Sequence, residues 1–437
     1  MRTRITNILM TPGVTDEKHI PFIADAEILI DGQRIAFAGR RGDAPAFEAD
    51  QTVDGHGALA MPGLCNLHTH TPMTLLRSIG SDLTLERWLN EAIFPVEKHL
   101  TDDAVKAGTE LGILEMLRFG TTSFNDMYMR MQMVAEGVRD SGMRAMLGHG
   151  VVDFDESCAD LLPGVALAEK WHGAAEGRIR VSIAPHSEGA TTAALLRRAN
   201  QAAAEMGLAV HVHVSETSLD RDESLQRRGL TPPRYLEALG ILDRPVIAAH
   251  CVWLDDEEIA LFAQRGVTVV HNPVSNLKLA SGVAPISKML AAGCKVALGT
   301  DGVASNNNLN LWEEIKLMPM LQKGTTLDPT VVSPAQTIAA ATSVGAKAMG
   351  YDDLGLLKPG YLADLILLDL GTPNACPGND LESDLIYSVQ GGDVRLTMVD
   401  GKVLYHDGEY ATLNPDLVLS RARKEAEALF ERARTAR

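Results

Sequence analysis

Two periodicities alternate along the chain. Short apolar, β-rich runs recur eight times across its middle: GLCNLH (63–68), TTSFND (121–126), RAMLGHG (144–150), RVSIAPH (180–186), LAVHVHV (208–214), PVIAAHC (245–251), VTVVHN (267–272) and KVALGTD (295–301). Each reads as a strand. Each is followed by a longer segment with apolar positions at helical spacing, such as TDDAVKAGTELGILEMLRFG or TAALLRRANQAAAEMG, the second stopping on glycine. Strand and helix alternating eight times predicts an α/β fold, a (β/α)8 barrel.

The ends of the chain follow another pattern. RTRITNILM and AEILIDGQRIAFAGR alternate with a period of two, with DGQ as a hairpin turn; ADLILLDL at 363–370 and LTMVDGKVLYHDGEY at 396–410 repeat the device with a second Asp-Gly turn. These sets predict one small β-sandwich built from both termini, residues 1–58 with 359–437, beside a barrel over 59–358. The closing DLVLSRARKEAEALFERARTAR reads as a charged amphipathic helix in solvent.

Composition narrows the function. The 437 residues, 46% hydrophobic and 22% charged, suit an ordinary soluble protein with one large and one smaller domain. A net charge of −17, spread along the chain, argues against nucleic acid or an acidic membrane face and favours a small neutral or zwitterionic ligand. MRTRITNILMTPG holds no apolar stretch of signal-peptide length and no membrane-length apolar run occurs, so a cytoplasmic location is expected. Cys65, Cys158, Cys251, Cys294 and Cys376 are scattered without a C-x-x-C pair. Any metal must therefore use histidine and carboxylate.

Those residue types sit at the predicted strand ends: His68 and His70, Asp126, His149, His186, His213, His250, His271 and Asp301. The C-terminal rim of a barrel is where strand ends converge on an active site. On a strand, residues i and i+2 share a face, so His68 and His70 can grip one cation together. A histidine shell with one carboxylate suits mononuclear zinc or ferrous iron, with His213 and Asp301 the best candidates for the remaining ligands. Glu216, three residues beyond His213, is placed to carry protons without being a ligand. His211 shares the face of His213 but lies deeper and reads as core. His271 fits either a rim contact or a packed histidine.

The motifs also resemble a known group. HTH after strand one, histidines ending strands five and six and an aspartate ending strand eight resemble the amidohydrolase superfamily. HTHTPMTLLRSIGSDLTLERWLNEAIFPVE, APHS, HVSET, AAHC, HNPVSNLKLASG and ALGTDGVASNNNLNLWEE are similar to its 5-methylthioadenosine/S-adenosylhomocysteine deaminases. The resemblance implies one divalent metal, zinc foremost, on His68, His70, His213 and Asp301. It implies that His250 contacts the metal's water or comes close enough to count as a further ligand, that His250 and Asp301 orient that water and take its proton, and that Glu216 shuttles protons. His186, Trp88, Glu97 and Ser305 would contact the substrate, Glu97 receiving the ribose hydroxyls.

The implied reaction is hydrolytic deamination of an adenine nucleoside, 5′-methylthioadenosine or adenosine, to the hypoxanthine nucleoside and ammonia, by a homo-oligomer (dimer or tetramer). The alternative is deamination or dechlorination of a free base or triazine. Two departures stand out. Relatives often carry arginine after strand three, where MLGHGVVD offers His149 as the substrate contact instead and residues 153–170 contain no arginine. Arginine is the usual clasp for a carboxylate, so S-adenosylhomocysteine is disfavoured. PHSEGA also replaces the commoner PHSPY.

Overall fold

The computed structural model describes residues 1–16, 18–153 and 157–436. All eight predicted runs are strands: β1 (Leu64–Thr69), β2 (Thr121–Tyr128), β3 (Arg144–Val151), β4 (Ile179–Pro185), β5 (Val210–Val214), β6 (Val246–His250), β7 (Thr268–His271) and β8 (Lys295–Leu298). Each pairs in parallel with the next, in chain order. The seam between β8 and β1 is drawn together by Asn66 Nδ2 donating to Thr300 Oγ1 (2.8 Å), Thr300 N to Asn66 Oδ1 (3.0 Å) and Asp301 N to the His68 carbonyl (2.9 Å). The result is a nearly closed TIM-type barrel. Gly299 permits this approach, because a Cβ there would stand 2.6 Å from Asn272 Oδ1 and 2.9 Å from the His68 nitrogen.

Strand β5 shows how pleat parity serves the site. Val210, Val212 and Val214 pack into the core shared with the outer helices, while His211 and His213 face the other way, among the rim histidines. The helices between strands begin and end on local signals. Capping boxes start Ser218–Arg228 (Thr217 with Asp220) and Asp256–Arg265 (Asp255 with Glu258), and Gly207 at φ +67° ends Ala193–Met206.

The two ends of the chain meet in one mixed nine-stranded sheet. Its join is Leu365–Leu368, antiparallel to Leu59–Pro62 on one side and to Val394–Val399 on the other. Alternation along the join serves two cores: Leu365 and Leu367 pack with Ile28, Ile30 and Ala60 in the sheet's own core, Ile366 and Leu368 with the barrel's. The predicted Asp-Gly turn at 400–401 has φ +50° and +70°, the signature of a hairpin turn that matches strand twist. The closing helix, Pro415–Thr435, is not simply solvated. Val418, Ala422, Leu429 and Ala433 form a buried stripe against the helix Asp102–Arg118, and Arg421 pairs with Glu110 at 2.6 Å.

Barrel and sheet are locked by a buried ion cluster. Arg144, at the start of β3 and 1% exposed, makes two bonds to Asp364 (2.8 and 3.0 Å) and one to Asp400, while Tyr351 stacks over its guanidinium at 4.9 Å. Among the described residues, no helix is long and apolar enough to cross a membrane.

Candidate active site

The strand ends bring the predicted histidines to one point. His68 Nε2 and His70 Nε2 lie 3.3 and 3.2 Å from Asp301 Oδ1. His213 is 4.9 Å from His68 and 5.4 Å from His250, ring centre to ring centre. Ligand atoms of His68, His213 and His250, and of His68, His70 and Asp301, form two groups able to hold a metal ion, sharing His68. The outer nitrogen of each ring is already engaged. His70 Nδ1 donates to the Met127 carbonyl, His213 Nδ1 to the His186 carbonyl (2.7 Å) and His250 Nδ1 to Asn276 Oδ1 (2.9 Å). Each bond turns Nε2 inward, the orientation a metal requires. His68 Nε2 is fully buried and has no hydrogen-bond partner among the described residues. A cation held there would satisfy that atom.

Electrostatics agree. Burial pushes His68 down to about 4 and His213 well below the ordinary imidazole range, keeping both in the neutral form that ligates. His70 behaves differently: burial opposes its charge, but bonding to Asp301 and the Met127 carbonyl raises it to about 9. Burial would raise Asp301, but the His68 and His70 imidazoles close beside it hold it well below the usual carboxylate range. Anionic Asp301 among these rings thus attracts either a proton or a metal ion. Ser215, His250, Cys251 and Asp301 all have φ between +46° and +72°, so the rim backbone is held in conformations that only surrounding structure sustains.

Glu216 follows β5 across that turn. Its Oε2 is 3.7 Å from His250 Nε2, and Ser281 Oγ is 3.5 Å from Oε1. Burial pushes its carboxyl up to about 7, partly offset by His250. A carboxyl poised there can give and take protons at neutral pH.

These groups line one end of a cavity of about 590 Å³. Trp88 and Glu97 line it too, on the excursion after β1. Trp88 Nε1 donates to the Ile79 carbonyl (3.2 Å), and Glu97 accepts a bond from the Tyr128 hydroxyl. His186 stands 4.5 Å from the His213 ring with Nδ1 buried and unpartnered among the described residues. Ser305 reaches the cavity wall, but its hydroxyl lies 2.8 Å from Asp301 Oδ2, with Ser275 Oγ at 2.6 Å, so both support that carboxylate.

One expectation is corrected. His149 is on the outer face of β3, near Gly164 of the helix Leu162–Trp171, while Gly150 lines the cavity. Strand parity turns its ring away from the site. Residues 154–156 of the following loop lie outside the described residues. An arginine does line the cavity, from another loop: Arg227 of the helix after β5, already paired with Glu223 and near Asp220.

Sequence reading missed several supports. His211, expected as core, is fully buried, and its Nε2 lies 3.0 Å from His68 Nδ1. Ser275 and Asn276 fall in HNPVSN, a block with no role assigned to these positions. His271 proves to be a packed histidine, unexposed, with neither ring nitrogen partnered among the described residues.

Burial pushes His271 from 6.5 to about 3. The unfolded chain takes that proton near 6.5, so the stability from neutral His271 is complete above that pH and declines toward 3, by up to about 1.4 kcal/mol per pH unit. Urea midpoints at about pH 7 and pH 5 check this: His271→Leu shows the smaller acid loss, and equal losses contradict it.

Comparison with known proteins identifies the family. The amidohydrolase family model matches residues 59–404. The chain is 43% identical over 423 residues to a 5-methylthioadenosine/S-adenosylhomocysteine deaminase of Dictyoglomus thermophilum, covering 94% of this chain and 99% of that one. It is 42% identical to a 5′-deoxyadenosine deaminase of Methanothermobacter thermautotrophicus, covering 93% and 95%. An adenosine deaminase structure from Xanthomonas campestris with bound zinc matches at TM-score 0.91 and 33% identity, covering 98% of this chain and 99% of that one. By barrel, rim chemistry and sequence alike, the chain belongs to the amidohydrolase family.

Proposed function

We propose that this protein is a hydrolase that removes the 6-amino group of an adenine nucleoside, yielding the hypoxanthine nucleoside and ammonia. The observation that carries this reading is the convergence of His68, His70, His213, His250 and Asp301 beside a carboxyl pushed up to about 7, at one end of a nucleoside-sized cavity. Similarity to the named deaminases supports it.

The donor set of imidazole nitrogens and one carboxylate fits zinc, with ferrous iron second. His68, His70, His213 and Asp301 would hold the divalent cation, which when bound would lower the pKa of water from 15.7 to about 7 and so supply hydroxide at neutral pH. The chain's own groups do the rest. Protonated Glu216 donates to purine N1, which makes C6 electrophilic. His250, its Nδ1 proton fixed on Asn276, turns Nε2 into the site 3.7 Å from Glu216 Oε2, and with Asp301 it orients the nucleophile and accepts its proton. Glu216 then takes the nucleophile's proton back from His250, passes it to the departing amino group, and regains its own from the C6 hydroxyl as the carbonyl forms. One water is consumed, the C6–N bond breaks and a C6 carbonyl forms.

At the other end, Trp88 packs the nucleoside and Glu97 receives the ribose hydroxyls. Arg227 is paired with Glu223, and Asp220 lines the same cavity, so an amino-acid carboxylate meets two carboxylates against one arginine. The preferred substrates are thus 5′-methylthioadenosine, 5′-deoxyadenosine or adenosine. The free thiols of Cys65, Cys251, Cys294 and Cys376 suit a reducing cytoplasm.

Zinc-loaded protein offered adenine nucleosides, guanine, cytosine and melamine, with ammonia followed, tests the reading. Turnover of the nucleosides, weakest for S-adenosylhomocysteine, is expected. Turnover of only a free base or triazine contradicts it.

A further inference from the structure

Glu97 and the metal-ligand cluster sit on different elements. Glu97 ends the short helix Phe94–Glu97, on the excursion that leaves β1 at His70 and returns to the barrel through the helix Asp102–Arg118. A carboxylate carried by such an excursion holds its place only if something ties it down. Tyr128 is the last residue of β2, 7% exposed, and its hydroxyl donates to Glu97 Oε1. Its ring centre lies 6.3 Å from that of His70, tilted by 42°. One rigid side chain on the barrel rim therefore touches the proposed ribose acceptor and packs near a proposed metal ligand.

We propose that Tyr128 is a positioning residue for ribose recognition. It holds Glu97 in place at the cavity wall, so that the diol of an entering nucleoside meets an acceptor that is already oriented. The inference rests on the nucleoside deaminase reading. Two features suit Tyr128 to this task. Its phenol stays protonated beside the carboxylate, burial and the Glu97 charge both raising it well above the ordinary range, so it is a donor at any working pH. The bond occupies Oε1 and fixes the rotation of the carboxylate, which sets how the remaining lone pairs present themselves to a diol. Phenylalanine keeps the ring and its packing but removes the tether.

The test compares adenosine with 2′,3′-dideoxyadenosine, which lacks the diol, on the wild type, Tyr128→Phe and Glu97→Gln. For Tyr128→Phe, the adenosine KM rises about tenfold with kcat little changed, the scale of one charge-assisted hydrogen bond. Its dideoxyadenosine parameters stay at wild-type values. Glu97→Gln shows the same split, and adding Tyr128→Phe to it costs adenosine nothing further.

A role confined to packing instead lowers both nucleosides equally. That result, or unchanged adenosine KM, overturns the inference while leaving deamination standing. If Tyr128→Phe does not fold, Glu97→Gln still decides the ribose end, and equal losses on both nucleosides overturn the proposal. Wild-type protein inert toward both nucleosides removes the deaminase reading itself.

Discussion

Glu216→Gln lowers kcat/KM for adenine nucleosides by about two to four orders of magnitude, the usual worth of a general acid–base group, and leaves bound metal unchanged. The amide keeps the shape of the side chain and can still hydrogen-bond to purine N1. It cannot hand over a proton. Glu216 lies beside the ligand cluster, 3.7 Å from His250, without belonging to either group of potential ligands, so metal content separates its role from that of His68 or Asp301. Steady-state kinetics with metal analysis on the same preparation checks this. A fall of less than about tenfold, or parallel loss of metal and activity, would assign the proton traffic elsewhere.

Arg144→Ala destabilises the fold by about 3–5 kcal/mol, the cost of breaking a buried ion pair from one side. Asp364 and Asp400 are 2% and 3% exposed, and without the guanidinium their carboxylates face each other. Arg178 cannot take over, since its Nε is 3.8 Å from Asp400 Oδ2 and its other nitrogens already donate to the Val138, Met143 and Arg139 carbonyls. The cluster lies at the end of the barrel opposite the rim, joining β3 to the terminal sheet, so kcat of the folded fraction stays near the wild-type value. Urea unfolding with activity measured in parallel checks both halves. A change below about 1 kcal/mol would show that the carboxylates find other partners or protonate without cost.

The barrel was legible because each strand announces itself by a short β-rich run that carries a histidine or aspartate at its last or next-to-last position. The ligand cluster was legible for the same reason: His68, His70, His213, His250 and Asp301 converge because parallel strands bring their C-terminal ends to one rim. His149 was not, because β3 turns Gly148 and Gly150 toward the other face, and glycine leaves no hydrophobic signal from which to read parity. Tyr128, Ser275 and Asn276 were missed for another reason. Their partners, Glu97, Asp301 and His250, lie 22 or more residues away in sequence, and nothing in the local pattern marks a hydrogen bond across that distance. The docked face of the closing helix was hidden by its charge. Four small or aliphatic residues among many ionised ones make a narrow stripe that looks solvated until the partner helix is in place.

The central claim is hydrolysis at C6 of an intact nucleoside, and product identity tests it most directly. Zinc-loaded protein is incubated with 5′-methylthioadenosine, and ammonia and purine products are quantified together. The account predicts ammonia and 5′-methylthioinosine in equal amounts, with no free adenine. Adenine with a released thiosugar, or no ammonia at all, would contradict it.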